Sequence, residues 1–140
     1  MLVVCPHCLA ANRVPIERTE DDPVCGKCGR ALLDGTPAVL DDTTFARFVE
    51  RSEVPVVVDF WAAWCGPCRT MAPQFEAAAR ELKGRAVFAK VDSDASPQTS
   101  ARFAIRSIPT MVRLDRGRET KRQSGAVQAA QIVAWARGAS

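Results

Sequence analysis

No run of 18 apolar residues occurs in the 140-residue chain, so no segment reads as a membrane-spanning helix. A basic leader followed by a long apolar stretch is also missing. The opening MLVVCPHC reads without a signal peptide, and a reducing cytoplasm is the expected setting. Net charge is only +3, too little to argue for a nucleic-acid surface. The densest basic stretch, RLDRGRETKR at 113–122, is interrupted by Asp115 and Glu119 and is expected to be a solvated edge hairpin. No Gly-rich phosphate-binding loop is present. Low-complexity segments are absent too, as is any repeat outside the cysteines. These absences leave a globular domain with neither nucleic acid nor membrane as a partner, and a monomer is expected.

What the chain does have is six cysteines in one recurring spacing. Cys5-Pro6-His7-Cys8, Cys25-Gly26-Lys27-Cys28 and Cys65-Gly66-Pro67-Cys68 are all C-x-x-C. Such a unit is either a redox dithiol or half of a metal site, and in a reducing compartment a structural staple is the less expected use.

The surroundings of the three pairs differ. Residues 1–33 show no long amphipathic pattern, and a polar link, ERTEDDP, separates their two cysteine turns. So short a segment buries too little apolar surface to offset chain entropy unless something cross-links it. LDGTPAV follows as a linker, with Gly35 and Pro37 as breakers. Beyond it, Ala38–Leu40 reads as a short strand and DDTTFARFVERS as a helix capped by Asp or Thr. VPVVVDFWA reads as a central strand buried on both faces. CGPCRTMAPQFEAAARELKG reads as a helix with Pro67 in its first turn, a kink at Pro73 and Gly84 as its stop. AVFAKVD is a second core strand, SPQTSARFA a short helix, TMVRL and ETKRQS a hairpin about DRG, and AVQAAQIVAWARG a closing helix. The order from residue 38 is β-α-β-α-β-α-β-β-α, an α/β layer that starts parallel and finishes antiparallel.

Cys65 falls at the start of a helix and Cys68 one turn along, which places their Cα atoms roughly 5–6 Å apart, within disulfide range. Helix-start N–H groups and the macrodipole favour the Cys65 thiolate over that of Cys68. Asp59 sits among apolar residues on the preceding strand, where desolvation should raise its pKa. VVVDFWAAWCGPCRTMAPQFE and the SIPT at 107–110 resemble the active-site region of the thioredoxin family, and the likeness covers residues 36–140. The resemblance implies a thioredoxin fold, a central mixed β-sheet flanked by helices. It implies that Cys65 attacks and Cys68 resolves, with Asp59 moving the Cys68 proton and Lys90 tuning Asp59. It implies a cis Pro109, and a flat apolar patch for substrates formed by Trp64, Gly66, Pro67, Ile108, Gly125 and Ala126.

Cys5, Cys8, Cys25 and Cys28 form C-x₂-C-x₁₆-C-x₂-C, a spacing suited to a four-thiolate zinc site. Zinc would supply the cross-link that residues 1–33 need. The Pro-His dipeptide of the first pair resembles that of disulfide oxidases. Against that reading, no strand is expected before Cys5, no helix after Cys8, and no second proline loop remains to serve it. His7 is expected to be a solvated loop residue. A zinc-ribbon-like module at 1–33 ahead of a domain at 34–140 resembles the bacterial thioredoxin 2 subgroup.

That resemblance implies a protein-disulfide reductase acting on disulfide-containing proteins, with one structural zinc and no tightly bound organic cofactor. An NADPH-dependent thioredoxin reductase would restore its dithiol. The alternative function is a zinc-linked redox sensor or partner-recruiting module, in which residues 1–33 do the main work.

Overall fold

The computed structural model describes residues 1–138; residues 139–140, the end of the expected second domain, lie outside the described residues. Two antiparallel strands, β1 (Leu2–Val4) and β2 (Ala11–Arg13), open the chain. The absence of a strand before Cys5 is therefore corrected. Three residues suffice because β2 supplies the partner edge and because Val3 and Val4 turn inward to full burial.

Beyond a single 3₁₀ turn at Ile16–Arg18, the remaining elements follow the expected order. They are β3 (Ala38–Leu40), α1 (Phe45–Glu50), β4 (Val56–Trp61), α2 (Gly66–Glu81), β5 (Val87–Asp92), α3 (Pro97–Arg102), β6 (Thr110–Asp115), β7 (Arg118–Ser124) and α4 (Ala129–Arg137). β3 to β7 form one sheet in the order β3-β5-β4-β6-β7, with β3, β5 and β4 parallel and β6 and β7 antiparallel. The basic stretch 113–122 is indeed a hairpin at the sheet edge.

β4 is the centre of this sheet, and its alternating side chains explain its near-continuous apolar run. Val56, Val58 and Phe60 point into a core with Phe45, Phe48 and Val49 of α1 and Phe103. Val57 points to the opposite face, into a core with Met71, Phe75 and Ala78 of α2 and Ile132 and Val133 of α4. Asp59 shares that second face by the strand's period of two.

α2 runs through Pro73 as one helix, and Gly84 follows its end at φ +81°. α3 is capped from far away. The Asp42 carboxylate accepts from the backbone N–H groups of Gln98 and Thr99 at 3.1 and 2.8 Å and from the Thr99 hydroxyl at 2.7 Å. Arg113, a charge on an otherwise buried strand, pairs with Asp115 at 3.1 Å and donates to the carbonyl of Ala136 at the C-terminal end of α4. That end carries unpaired carbonyls and partial negative charge, so a guanidinium suits it.

The N-terminal segment packs on the end of the sheet where β4 and β5 begin. Val3, Cys5, Val14, Cys25, Leu32 and Leu33 cluster with Val54, and Val87 packs against them. The Glu53 backbone N–H donates to the Leu2 carbonyl at 2.9 Å, and the Leu2 N–H returns a 2.6 Å bond to the Glu53 carboxylate. Gly84 lies so close to this segment that an added Cβ would come within 2.6 Å of Glu20 Cγ and 2.9 Å of the Thr19 carbonyl oxygen.

Candidate redox and metal centres

β4 delivers the chain to the sheet's other end, where Cys65 serves as the N-cap of α2. Cys65 and Cys68 are joined by a disulfide with Cα atoms 5.2 Å apart, as one helical turn requires. Both are nearly fully buried, at 4% and 2% exposure. The Cys68 backbone N–H points at Cys65 Sγ from 3.2 Å. An N-cap sulfur held there meets an unpaired helix N–H and the positive end of the dipole, which favours its thiolate.

The loop before β6 closes over the sulfurs. Ile108-Pro109 is cis, and the Ile108 carbonyl oxygen lies 3.8 Å from Cys65 Sγ. The Gly125 N–H donates to the Pro109 carbonyl at 2.9 Å, with Gly125 at φ +91°, a backbone state that favours glycine. Trp64 is 69% exposed beside the sulfurs, and Pro67, Gly125 and Ala126 are exposed while Gly66 and Ile108 are half-buried. The Trp64 indole N–H donates to Asp94 at 2.7 Å, an anchor thirty residues away that nothing in the sequence signals.

Asp59 is 1% exposed, and neither carboxylate oxygen has a hydrogen-bond partner among the described residues. Burial pushes its pKa up to about 7, against a smaller opposing pull from Lys90. Lys90 is the cross-strand partner of Asp59 on β5. Its ammonium sits 4.7 Å from the centre of the Trp61 ring rather than in an ion pair. Met71 and Met111 are core residues, at 1% and 0% exposure.

The other four cysteines converge at the opposite end of the fold. Their sulfurs all lie within 4.8 Å of one another, and Cys5–Cys28 and Cys8–Cys25 are each 3.6 Å apart. No disulfide joins them. A tetrahedron with metal–sulfur bonds of about 2.3 Å has edges of roughly 3.8 Å, so the donor set fits zinc. Each knuckle folds its own backbone onto its first sulfur: His7 N–H donates to Cys5 and Lys27 N–H to Cys25, both at 3.4 Å. Burial pushes the Cys5 thiol up to about 11, whereas the Cys28 backbone N–H draws Cys25 down to about 6. His7 is exposed, as expected. Sequence reasoning missed Asn12, whose side-chain amide bonds to both Gly26 and Cys25. Only the folded hairpin brings position 12 to the second knuckle.

A mixed sheet that presents a vicinal dithiol at a helix N-cap, with the sulfurs buried but flanked by exposed apolar surface, defines a thiol–disulfide oxidoreductase. Comparison with known proteins narrows the class. The thioredoxin family matches residues 36–138, and the family described as thioredoxin 2, N-terminal, a zinc ribbon, matches residues 4–30. The chain is 44% identical over 135 residues to thioredoxin C-3 of Corynebacterium nephridii, covering 96% of this chain and 92% of that one. It is 44% identical over 130 residues to the chloroplastic M-type thioredoxin of Chlamydomonas reinhardtii, covering 89% and 93%. Thioredoxin 1 of Nostoc sp. is 43% identical over 90 residues, covering 64% and 84%. The chain belongs to the thioredoxin family. Among the described residues, no helix is long and apolar enough to cross a membrane.

Proposed function

We propose that the chain is a protein-disulfide reductase in which Cys65 is the nucleophile and Cys68 the resolving thiol. The observation that carries this is the N-cap position of Cys65, whose sulfur receives the Cys68 N–H while Cys68 lies inside the helix. In the reduced protein the Cys65 thiolate attacks one sulfur of a client disulfide. A mixed disulfide forms and the client's other sulfur leaves as a thiolate. Asp59, buried and titrating near neutrality, accepts the Cys68 proton. Cys68 then attacks Cys65, closes the ring and releases the client's second thiolate, so two electrons pass to the client. The client's backbone lies along Ile108 and Pro109, with Trp64, Gly66, Pro67 and Gly125 as its apolar floor.

The dithiol is restored by an NADPH-dependent thioredoxin reductase. Residues 1–33 form the metal module and residues 34–140 the exchange domain. Cys5, Cys8, Cys25 and Cys28 hold one structural zinc, which supplies the cross-link that so small a module needs. The protein works as a monomer in the reducing cytoplasm.

Incubating Cys68→Ser with a disulfide-containing protein tests the assignment. A covalent adduct through Cys65, cleaved by added thiol, is expected, whereas Cys65→Ser should give none and reduce no disulfide. An adduct on Cys65→Ser with none on Cys68→Ser would reverse the two roles.

A further inference from the structure

The four sulfurs of the metal module are not equally supported. Cys25 Sγ accepts from the Lys27 backbone N–H at 3.4 Å and from Asn12 Nδ2 at 3.5 Å, and Cys5 Sγ accepts from the His7 N–H at 3.4 Å. Among the described residues, no nitrogen lies at hydrogen-bonding geometry to the sulfur of Cys8 or Cys28, and Asn12 is the one side chain outside the cluster that donates to any of the four.

Asn12 makes two further bonds, and together they fix its orientation. Oδ1 accepts from the Gly26 N–H at 2.9 Å, and Nδ2 donates to the Ala10 carbonyl at 3.1 Å. Turning the amide over would set two donors against each other at Gly26 and two acceptors against each other at Ala10. The Gly26 bond therefore forces an N–H toward Cys25. Asn12 belongs to β2, opposite Val3 of β1, so it projects from the hairpin that carries the first knuckle while gripping the second. A neutral thiol is a weak acceptor. An amide N–H gains most from that position when the sulfur is an anion, as in a metal thiolate.

We propose that Asn12 is a positioning residue of the metal centre, seating the second cysteine knuckle against the first and lending its amide N–H to the Cys25 thiolate. The proposal rests on the zinc reading above. It makes Cys25 the most hydrogen-bonded ligand and leaves Cys8 and the exposed Cys28 without a nitrogen donor. Residues that orient a ligand in this way commonly change metal affinity by about 10–100-fold when replaced.

The full chain carrying Asn12→Asp separates the two roles of the amide. The substitution keeps the size and the acceptor for Gly26 but puts a charged oxygen where the donor faced Cys25. Titration of Zn²⁺ alone against a chromophoric chelator should show Asn12→Asp binding about 10–100-fold more weakly than the parent, and more weakly than Asn12→Ala. With Co²⁺ in place of Zn²⁺, the thiolate-to-metal charge-transfer bands of Asn12→Ala should move to longer wavelength, as expected for a sulfur that has lost a donor. If Asn12→Asp does not fold, this band shift alone decides. Parental affinity in Asn12→Asp, or unmoved cobalt bands in Asn12→Ala, would overturn the proposal and leave Asn12 as a brace for Gly26. A parent chain that takes up no zinc would remove the metal reading itself.

Discussion

Replacing Asp59 by alanine should change stability by an amount that depends on pH. In the folded chain the carboxyl titrates near 7, raised from 3.8 by burial. Between those values the folded state keeps a proton that the unfolded chain has released. Stability therefore falls as pH rises through the interval. Below about pH 4 both states are protonated and the penalty is absent. Above about pH 7 both are ionised and the penalty is complete, at ~4 kcal/mol if each tenfold step is worth ~1.4 kcal/mol. Asp59→Ala lacks this penalty, and the cost of its smaller side chain does not vary with pH. The difference between variant and parent thus isolates the titration. From about pH 5.5 to about pH 8.5 it should move in favour of the variant by ~2 kcal/mol, levelling off above about pH 7. Urea denaturation of both oxidised proteins across this range measures it. A difference that stays flat would refute the reasoning, since it would place Asp59 in the ordinary carboxylate range despite its burial.

Lys90→Met removes the one charge that opposes this rise, so the Asp59 carboxyl, followed by NMR, should titrate higher than in the parent; an unchanged midpoint would show that the ammonium, held on Trp61, does not reach the carboxylate. Gly84→Ala should cost about 1–3 kcal/mol, because it strains a φ of +81° and drives a Cβ into Thr19 and Glu20; an unshifted denaturation midpoint would contradict the packing of the N-terminal segment there. Deleting residues 1–33 uncovers Val54 and Val87 and should lower stability by about 2–4 kcal/mol while leaving disulfide reduction intact. A truncated chain that is folded by circular dichroism yet inactive would end the proposed division of labour.

The elements legible in the sequence were those whose cause is local. The valine run of β4 reads as buried because both of its faces are covered, and Asp59 stands out as the one charge within it. Cys65 reads as a helix start because Gly66 and Pro67 follow it. The features that stayed hidden depend on distant partners. β1 is the exception, since its partner β2 begins seven residues after it ends, and it stayed hidden because it is only three residues long. α3 takes its cap from Asp42 rather than from its own Ser96. Trp64 is tethered by Asp94, and Arg113 finds its backbone acceptor at the end of α4. Val54 lies in the sequence beyond the expected module boundary yet completes that module's core. No periodicity within a window of ten residues carries such information.

The sixteen residues of α2 span about 24 Å, with Cys65 capping one end and the Thr19–Glu20 segment resting against Gly84 just past the other. Exchange between sulfurs requires direct attack at bonding distance. The helix therefore acts as an insulator inside a chain that carries six mutually reactive groups. In the proposed function, client electrons pass through Cys65 and Cys68 without scrambling into the other four sulfurs, so that one chain keeps a reversible bond and a metal-held cross-link in the same element, sulfur.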